Sequence, residues 1–179
     1  MTSKPKGRVL IIAGSDSGGG AGIQADIKTV SALGGYAMTA VTAITVQNTL
    51  GVTGVHAVPP EIVRAQIEAV MSDLGADTWK IGMMGSADHV RAVLEAWYAV
   101  GDGAPVILDP VMIAKGGASL LSDDAIEIIA NELMPVAAMV TPNAPEAEAL
   151  TGIAVNDLDG QMDAADALVN RLGAWSALV

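Results

Sequence analysis

The sequence predicts an α/β protein with a mostly parallel sheet that helices cover on both faces. Short apolar runs that end in glycine or polar residues alternate with segments of helical periodicity, an order typical of βαβ units. Hydrophobic residues make up 51% of the 179 residues and Phe is absent, so small aliphatic side chains must form the core. Such a composition suits a sheet that is buried on both faces. The length fits a single domain, 1–179.

The composition also excludes several classes of function. The chain has 9 basic and 20 acidic residues, a net charge of −11, and no basic cluster, so we expect no nucleic-acid partner. It has no Cys, which excludes disulfides and thiolate metal sites. The apolar run that follows the basic N-terminus is only Val9–Ala13, too short for a signal peptide, and no run approaches a membrane span. We therefore expect a soluble, cytoplasmic protein without membrane contact.

The first elements are a strand, a helix and two further strands. Val9–Ala13 is a short apolar run bounded by glycine, which predicts a buried strand. Apolar residues then recur at helical spacing over 23–30, and Gly34 can end that helix. Tyr36–Val46 is rich in Thr and Val and predicts a second strand, and Val52–Val58 predicts a short extra one.

The middle of the chain continues the alternation. Pro59 and Pro60 open a helix, because proline suits the first turn. Trp79–Met84 predicts a strand, Ser86 is a candidate N-cap for the next helix, and Val106–Leu108 predicts another strand. The predicted apolar faces of the two helices are Val63, Ile67, Val70, Met71 and Leu74, and Val90, Val93, Leu94 and Trp97.

The last third adds three helices and a strand. Ser122 is the predicted cap of the first helix, Ala138–Val140 is the strand, and Pro145–Leu150 is a short helix. A longer helix follows, and Trp175–Val179 resembles the opening of a further strand. From that ending we expect the N-terminal two-thirds of a longer domain. The predicted helix faces are Ile126, Ile129 and Leu133, and, within Gly160–Leu172, Met162, Ala165, Val169 and Leu172.

Polar residues and glycines gather where the predicted strands end, and ligands of parallel α/β sheets bind at that edge. The glycine-rich loop 14–22 lacks the Lys-Ser/Thr of a P-loop. It also fails the dinucleotide pattern, because Ile23 occupies the third glycine position after Gly18 and Gly20. The remaining interpretations are a loop that lets a ligand approach the backbone, with Asp16 and Asp26 as acceptors, or a plain tight turn.

Other strand-end residues each allow two interpretations. Asp109 is a candidate for Mg²⁺ binding through water or an ordinary strand-end aspartate. Asn143 and Glu146 can face one point at a helix start, or Glu146 can simply interact with the helix dipole. Lys115 could neutralise a phosphate or be a solvated loop lysine.

Gln47 and Met83 also lie at predicted strand ends. The Gln47 side chain can both donate and accept hydrogen bonds, which suits the edge of a heterocycle. Met83 is either a packing residue or one wall of an apolar pocket.

Five sequence blocks together resemble the hydroxymethylpyrimidine/phosphomethylpyrimidine kinases of thiamine biosynthesis, which belong to the ribokinase-like superfamily. They occur in the family's order across nearly the whole chain. The blocks are AGSDSGGGAGIQADIKT (13–29), TAVTAITVQNTLGV (39–52), KIGMMG (80–85), DPVMIAKGGASLL (109–121) and TPNAPEAEALTG (141–152).

The resemblance implies a three-layer α/β/α sandwich, a homodimer, and ATP- and Mg²⁺-dependent phosphorylation of 4-amino-5-hydroxymethyl-2-methylpyrimidine and its monophosphate. It also implies site residues by position. The pyrimidine pocket would contain Gly14, Ala21, Asp26, Gln47, Met83 and Val111; Asp109 and Glu146 would serve the metal, and Asn143, with Lys115, the ATP phosphates.

Members of this family are longer and carry Lys-Gly-Gly-His and Gly-Thr-Gly-Cys segments that this sequence does not contain. Lys115 precedes Gly116-Gly117 inside a different block and is not a substitute for them. We therefore expect no catalytic residue within 1–179 and no kinase activity of this chain alone. The alternatives are pyridoxal or pyridoxine kinase activity and a non-catalytic pyrimidine-binding module, with a nicotinamide-dependent oxidoreductase a distant third.

Overall fold

A computed structural model describes residues 4–112 and 121–179. The predicted alternation of strands and helices is confirmed. The strands are β1 (Arg8–Ser15), β2 (Tyr36–Asn48), β3 (Gly51–Ala57), β4 (Thr78–Ile81), β5 (Val106–Leu108) and β6 (Ala137–Val140). The helices are α1 (Gly22–Ala32), α2 (Pro60–Asp73), α3 (Ala87–Val100), α4 (Asp123–Ile128), α5 (Ala144–Thr151) and α6 (Leu158–Asn170).

The six strands form one sheet in the order β3-β2-β1-β4-β5-β6. All neighbouring pairs are parallel except β2 and β3, which form an antiparallel hairpin at the edge of the sheet. In the centre, Leu10 of β1 pairs with Met38 of β2 on one side and with Trp79 of β4 on the other. The parallel order brings the carboxyl ends of β1, β2, β4 and β5 to one edge, where the candidate site lies.

Side-chain alternation assigns the two faces of the sheet to different helices. Trp79 and Ile81 of β4 are fully buried in the main core, into which α2 and α3 also pack. Lys80 and Gly82 alternate with them and therefore lie on the opposite face, which α1 covers. The predicted α/β class, with a mostly parallel sheet and helices on both of its faces, is confirmed.

Two predicted boundaries are wrong. The strand predicted over Trp79–Met84 ends at Ile81, because the carbonyl of Met83 accepts a hydrogen bond from Thr42 Oγ1 (2.6 Å) and Gly85 turns the chain at a φ of 89°. The helix predicted after Ser122 is regular only to Ile128 and continues as a π-helical turn, Ile129–Leu133, and a 3-10 turn, Met134–Val136. Pro135, which has no N–H to donate, lies within that last turn.

Three predicted side-chain roles are also wrong. Ser122 makes no capping bond; its side chain hydrogen-bonds Asp124 and lowers the pKa of that carboxyl group. In α6 the buried residues are Ala164, Ala167 and Leu168, whereas Met162 is 63% exposed, because the helix is rotated from the predicted face. Leu74, assigned to the apolar face of α2, follows that helix and is exposed.

The segment that follows α6 lies beside β6. Trp175 and Leu178 donate backbone hydrogen bonds to Ala137 and Val140, and Ala177 forms a parallel bridge with Val140. The sequence-based expectation of strand-like backbone here agrees with this pairing. Among the described residues, no helix combines the length and the apolar character needed to cross a membrane.

Candidate functional site

A cavity of about 490 Å³ opens at the carboxyl ends of β1, β2, β4 and β5. Its walls come from the glycine loop, the start of α1 and the hairpin of β2 and β3. Its lining includes Gly14, Asp26, Gln47, Lys80, Met83 and Asp109. The volume falls in the range of small-molecule sites, and the lining mixes apolar walls with a few polar groups, as such sites do.

The backbone of the glycine loop surrounds the buried carboxylate of Asp16. Asp16 is 5% exposed, and its Oδ1 accepts the N–H of Gly18 (2.7 Å) while its Oδ2 accepts those of Gly20 (2.9 Å) and Ala21 (2.8 Å). Burial raises the pKa of Asp16, but these backbone bonds outweigh burial, so the pKa lies below its ordinary value of 3.8. The N–H groups that could have held a phosphate are thus taken by a carboxylate of the same loop. Asp16 also lines the cavity, so its predicted role as an acceptor for a ligand stays a prediction.

Side chains join the loop to β2 and to α1. Ser17 Oγ donates to the carbonyl of Gln47 (2.7 Å) and accepts its N–H (2.8 Å). Thr45 Oγ1 donates to the carbonyl of Ser15 (2.8 Å), and Gln24 Oε1 accepts the N–H of Asp16 (2.8 Å). These bonds hold the loop in one shape and place the Gln47 side chain at the cavity wall.

Two glycines that line the cavity, Gly22 and Gly14, lie close to other atoms. At Gly22 the backbone has a φ of 56°, and a Cβ would collide with the carbonyl oxygen of Gly14. At Gly14 a Cβ would lie 2.5 Å from Cε of Met83, the end of a flexible side chain. The first contact is with backbone and the second is not, so the two glycines should differ in how well they tolerate substitution.

Lys80 links two carboxylates that border the cavity. Its Nζ lies 3.0 Å from Oδ2 of Asp26 on α1 and 3.3 Å from Oδ2 of Asp109 after β5. Among the described residues that line the cavity, Lys80 alone is positively charged. The three side chains are between 22% and 37% exposed, so solvent screens this pair of contacts only in part.

Asn143 and Glu146 form a capping box at the start of α5. Asn143 Oδ1 accepts the N–H of Glu146 (3.0 Å), and Glu146 Oε2 accepts the N–H of Asn143 (3.0 Å). Glu146 is 5% exposed, and its Oε1 also accepts the N–H of Met112 (3.3 Å). Burial and the nearby charge of Asp109 raise the pKa of Glu146, although the backbone bonds from Asn143 and Met112 oppose that shift.

Asp109 lines the cavity after β5 and is the candidate carboxylate for a Mg²⁺ ion there, whereas both oxygens of Glu146 already accept backbone N–H bonds. Asp109 acts on the charge of Glu146, so the two groups share one electrostatic neighbourhood. No group of three or more His, Asp or Glu side chains within 4–112 and 121–179 forms a full metal site. Mg²⁺ commonly takes one or two carboxylates together with waters and substrate phosphates, and this donor set suits that mode of binding.

The cavity brings together most of the residues chosen from the sequence but not all of them. Asn143 and Glu146 do not line it and form the capping box at the start of α5. Lys115 falls outside the described residues, so its predicted phosphate role stays a prediction. The predicted residues that line the cavity are Gly14, Asp16, Ala21, Asp26, Gln47, Met83, Asp109 and Val111.

Sequence analysis missed Lys80 and the internal role of Asp16. Lys80 stands between Trp79 and Ile81 in a run that is otherwise apolar, and a period of two places it on the face opposite them. That alternation was a usable signal for a charged residue facing the site. No comparable signal marked Asp16, because its role depends on the path of the loop backbone.

Comparisons with known proteins agree with this geometry. The phosphomethylpyrimidine kinase family matches residues 16–179. The hydroxymethylpyrimidine/phosphomethylpyrimidine kinase of Bacillus subtilis is 50% identical over 172 residues, which are 96% of this chain and 63% of that protein. The chain thus spans about three fifths of the length of such relatives, and 61% for the Mycobacterium leprae kinase of the same name.

Solved structures show the same fold. The phosphomethylpyrimidine kinase of Clostridium difficile 630 superposes with a TM-score of 0.86 at 42% identity, over 93% of this chain and 74% of that one. The pyridoxal kinase of Staphylococcus aureus in complex with pyridoxal gives a TM-score of 0.83 at 34% identity, over 96% of this chain and 63% of that one. The fold is therefore shared by kinases of two different small heterocycles.

Proposed function

The chain belongs to the phosphomethylpyrimidine kinase family, and on that premise we propose that it forms the acceptor-substrate part of an ATP-dependent kinase. The proposed acceptors are 4-amino-5-hydroxymethyl-2-methylpyrimidine and its monophosphate. The observation that carries the proposal is that residues from four separate sequence blocks line one cavity of about 490 Å³. A cavity of that size suits a single aromatic ring with small substituents.

The cavity chemistry supports an aminopyrimidine. The carboxylate of Asp26 can accept a hydrogen bond from an exocyclic amine, and the amide of Gln47 can both donate to and accept from a ring edge. Met83 and Val111 supply apolar walls for the faces and the methyl group of the ring. A small, mostly neutral ring needs shape and a few hydrogen bonds, which agrees with a pocket that holds one cation among its described residues.

The proposed contribution of this chain to phosphoryl transfer is positioning. The loop bonds of Asp16 and Ser17 fix the wall against which the ring lies, so the ring's hydroxymethyl group would be held with little residual motion. Asp109, aided by Glu146, would hold Mg²⁺, which supplies charge stabilisation for ATP phosphates when it is bound. Asn143 orders the start of α5, the turn that carries Glu146.

Calorimetric titration of the 179-residue chain tests the acceptor proposal. We expect saturable binding of the hydroxymethylpyrimidine at one site and weaker binding of pyridoxal. Asp26→Ala should abolish pyrimidine binding, whereas Asp157→Ala, at an exposed helix cap on α6, should leave it unchanged. Absence of pyrimidine binding by the unaltered chain, or tighter binding of pyridoxal, would overturn the proposal.

An ATP-coupled assay tests transfer separately from binding. The chain spans about three fifths of the length of its kinase relatives, and we expect it to bind the pyrimidine without consuming ATP. Measurable phosphorylation by this chain would contradict that expectation. Pyrimidine binding with no binding of ATP at all would favour the non-catalytic module.

A homodimer is also proposed, as the family resemblance implies. The β2–β3 hairpin lies at the sheet edge and exposes Ile44 (53%), Val46 (64%) and Leu50 (92%), an apolar surface that a second copy could cover. Light scattering should give a dimer mass that Val46→Glu converts to a monomer mass. A monomer mass for the unaltered chain at high concentration would reject this assembly.

A cytoplasmic location is proposed on the absence of Cys from all 179 residues, which suits a reducing compartment. Fractionation of cells that produce the protein would test it, and recovery with the membrane fraction would contradict it.

A further inference from the structure

We propose that Lys80 is a positioning residue that serves as the shared counter-ion of Asp26 and Asp109 and sets the charge balance between these two carboxylates of the cavity. Its ammonium nitrogen is 3.0 Å from one carboxylate and 3.3 Å from the other. The inference rests on the proposed function only for the identity of the ligands, a pyrimidine near Asp26 and a divalent cation near Asp109.

The local fold makes room for this ammonium group. Trp79 and Ile81 anchor β4 in the core with no exposure, which fixes the backbone from which Lys80 extends. At Gly82 a Cβ would lie 3.0 Å from Lys80 Nζ and 3.1 Å from Cβ of Ala13. The missing side chain of Gly82 therefore leaves the space that the Lys80 head group occupies.

The negative charges of Asp26 and Asp109 explain why a lysine is needed between these two carboxylates. Asp26 belongs to α1 and Asp109 follows β5, so the tertiary fold brings two carboxylates to the same nitrogen. Without Lys80 these like charges would repel and Asp26 would lose the contact that holds its side chain. A divalent cation at Asp109 must compete with the ammonium group for the same carboxylate, so Lys80 weakens cation binding while it supports Asp26.

This arrangement predicts that removal of the Lys80 charge has opposite effects on cation binding at Asp109 and on pyrimidine binding at Asp26. Lys80→Met should strengthen divalent-cation binding, because Asp109 and Asp26 lose their competing partner. The same variant should weaken pyrimidine binding, because Asp26 is no longer held in place. A purely structural role for Lys80 would weaken both.

Titration with Mn²⁺, followed by electron paramagnetic resonance, measures the first effect, and calorimetry with the hydroxymethylpyrimidine measures the second. For Lys80→Met we expect Mn²⁺ affinity to rise about tenfold and pyrimidine affinity to fall about tenfold. Lys80→Met with Asp109→Asn should lose the Mn²⁺ gain, which locates it at Asp109. Lys80→Arg, which keeps the charge, should have Mn²⁺ and pyrimidine affinities close to those of the unaltered chain.

Lys28→Met is the matched control. Lys28 is also close to the glycine loop, and its Nζ donates to the carbonyl of Gly19 (2.7 Å) rather than to a carboxylate. Removing this charge should change Mn²⁺ affinity far less than removing that of Lys80. An equal gain in both variants would mean that net charge alone is responsible and would overturn the proposal.

Lys80→Gln keeps the polarity and approximate bulk, and it decides the question if Lys80→Met does not fold. An unchanged or lower Mn²⁺ affinity in the folded variant overturns the inference. If the unaltered chain binds no pyrimidine, the proposed function fails while the Mn²⁺ comparison still judges Lys80. If it binds pyrimidine but the Mn²⁺ affinity does not rise, only the inference about Lys80 fails.

Discussion

Asp16 in the glycine loop and Glu146 in the capping box of α5 are both 5% exposed carboxylates that accept backbone N–H bonds, yet their pKa values move in opposite directions. Around Asp16 the N–H groups of Gly18, Ala21 and Gly20 outweigh the effect of burial, so the charged form is favoured. Around Glu146 burial dominates and the charge of Asp109 adds to it, so the charged form is disfavoured. The number and direction of the neighbouring dipoles decide which effect wins.

The difference distinguishes a carboxylate that lines the cavity, Asp16, from one in the capping box at the start of α5, Glu146. In the glycine loop, the Asp16 carboxylate and the backbone N–H groups around it satisfy one another. Asp109, whose charge acts on Glu146, is paired with the ammonium group of Lys80 at 3.3 Å. The cavity therefore combines a loop whose anion is satisfied by backbone bonds with a separate lysine–carboxylate cluster of Lys80, Asp26 and Asp109.

The largest effect on the free energy of unfolding is expected from a substitution at Gly22 in the glycine loop. A Cβ there would strike the carbonyl of Gly14 at a φ of 56°, a conformation that L side chains rarely adopt. Gly22→Ala should lower the free energy of unfolding by about 3 kcal/mol. Urea unfolding measures it, with Gly20→Ala as the control, because a Cβ at Gly20 would lie an ordinary 3.8 Å from Asp16 Oδ2. Equal losses in the two variants would contradict the proposed clash.

The next effect comes from removing the internal anion. Asp16→Asn keeps the size of the side chain but replaces one acceptor oxygen by an amide that cannot accept the N–H of Gly20 or Ala21, or of Gly18 in the other orientation. We expect a loss of about 2 kcal/mol in the free energy of unfolding at neutral pH. A loss near zero would mean that the loop is held by Ser17 and Gln24 alone.

The stability difference between the unaltered chain and Asp16→Asn should also depend on pH. Because the folded-state pKa of Asp16 lies below 3.8, its contribution is fully present above that value and declines as the pH falls through the lower folded-state value. The difference should therefore be larger at neutral pH than at about pH 3. Unfolding curves for both proteins at the two pH values measure it, and a constant difference would contradict this assignment.

Glu146→Gln should cost less than Asp16→Asn, although both replace a buried carboxylate by an amide. Burial already disfavours the charge of Glu146, so its loss is partly compensated, and we expect about 0.5–1 kcal/mol at neutral pH. Because the folded-state pKa of Glu146 is raised, ionisation of this carboxyl group destabilises the native state as the pH rises from 4.5 through the folded-state value. The cost of Glu146→Gln should therefore fall as the pH rises, whereas the cost of Asp16→Asn should grow. Asp157→Asn, an exposed N-cap of α6, serves as the control for capping without burial.

A cost for Glu146→Gln equal to or above that of Asp16→Asn would remove the contrast between the two carboxylates. The comparison uses the same assay and the same pH for both variants, so differences in protein size or denaturant response do not enter. The measurement thus tests the opposite pKa shifts through their consequence for stability.

The sequence predicted the sheet, its helices and most of the cavity wall, because periodicity and glycine position are local signals. Residues such as Asp26, Gln47 and Asp109 follow or face strand ends, and the parallel sheet brings those ends together. No spacing rule predicts the path of the loop around Asp16, or that Asn143 and Glu146 lie outside the cavity lining, because both depend on the tertiary structure. The rotation of α6 escaped prediction for a related reason, since its alanines are compatible with more than one buried face.

The smallest effect on stability is expected at Gly14, where the obstacle is a flexible side chain. A Cβ would lie 2.5 Å from Met83 Cε, so Met83 must change its rotamer, and the free energy of unfolding should fall by less than about 1 kcal/mol. Because Met83 lines the cavity, its displacement should lower pyrimidine affinity by about fivefold. Met83→Ala in the Gly14→Ala background removes the obstructed atom, so the two substitutions should be non-additive, with the double variant binding more tightly than the sum of the single losses predicts. Calorimetry on the four proteins completes this cycle, and strict additivity would show that Gly14 affects the pocket through its backbone rather than through Met83.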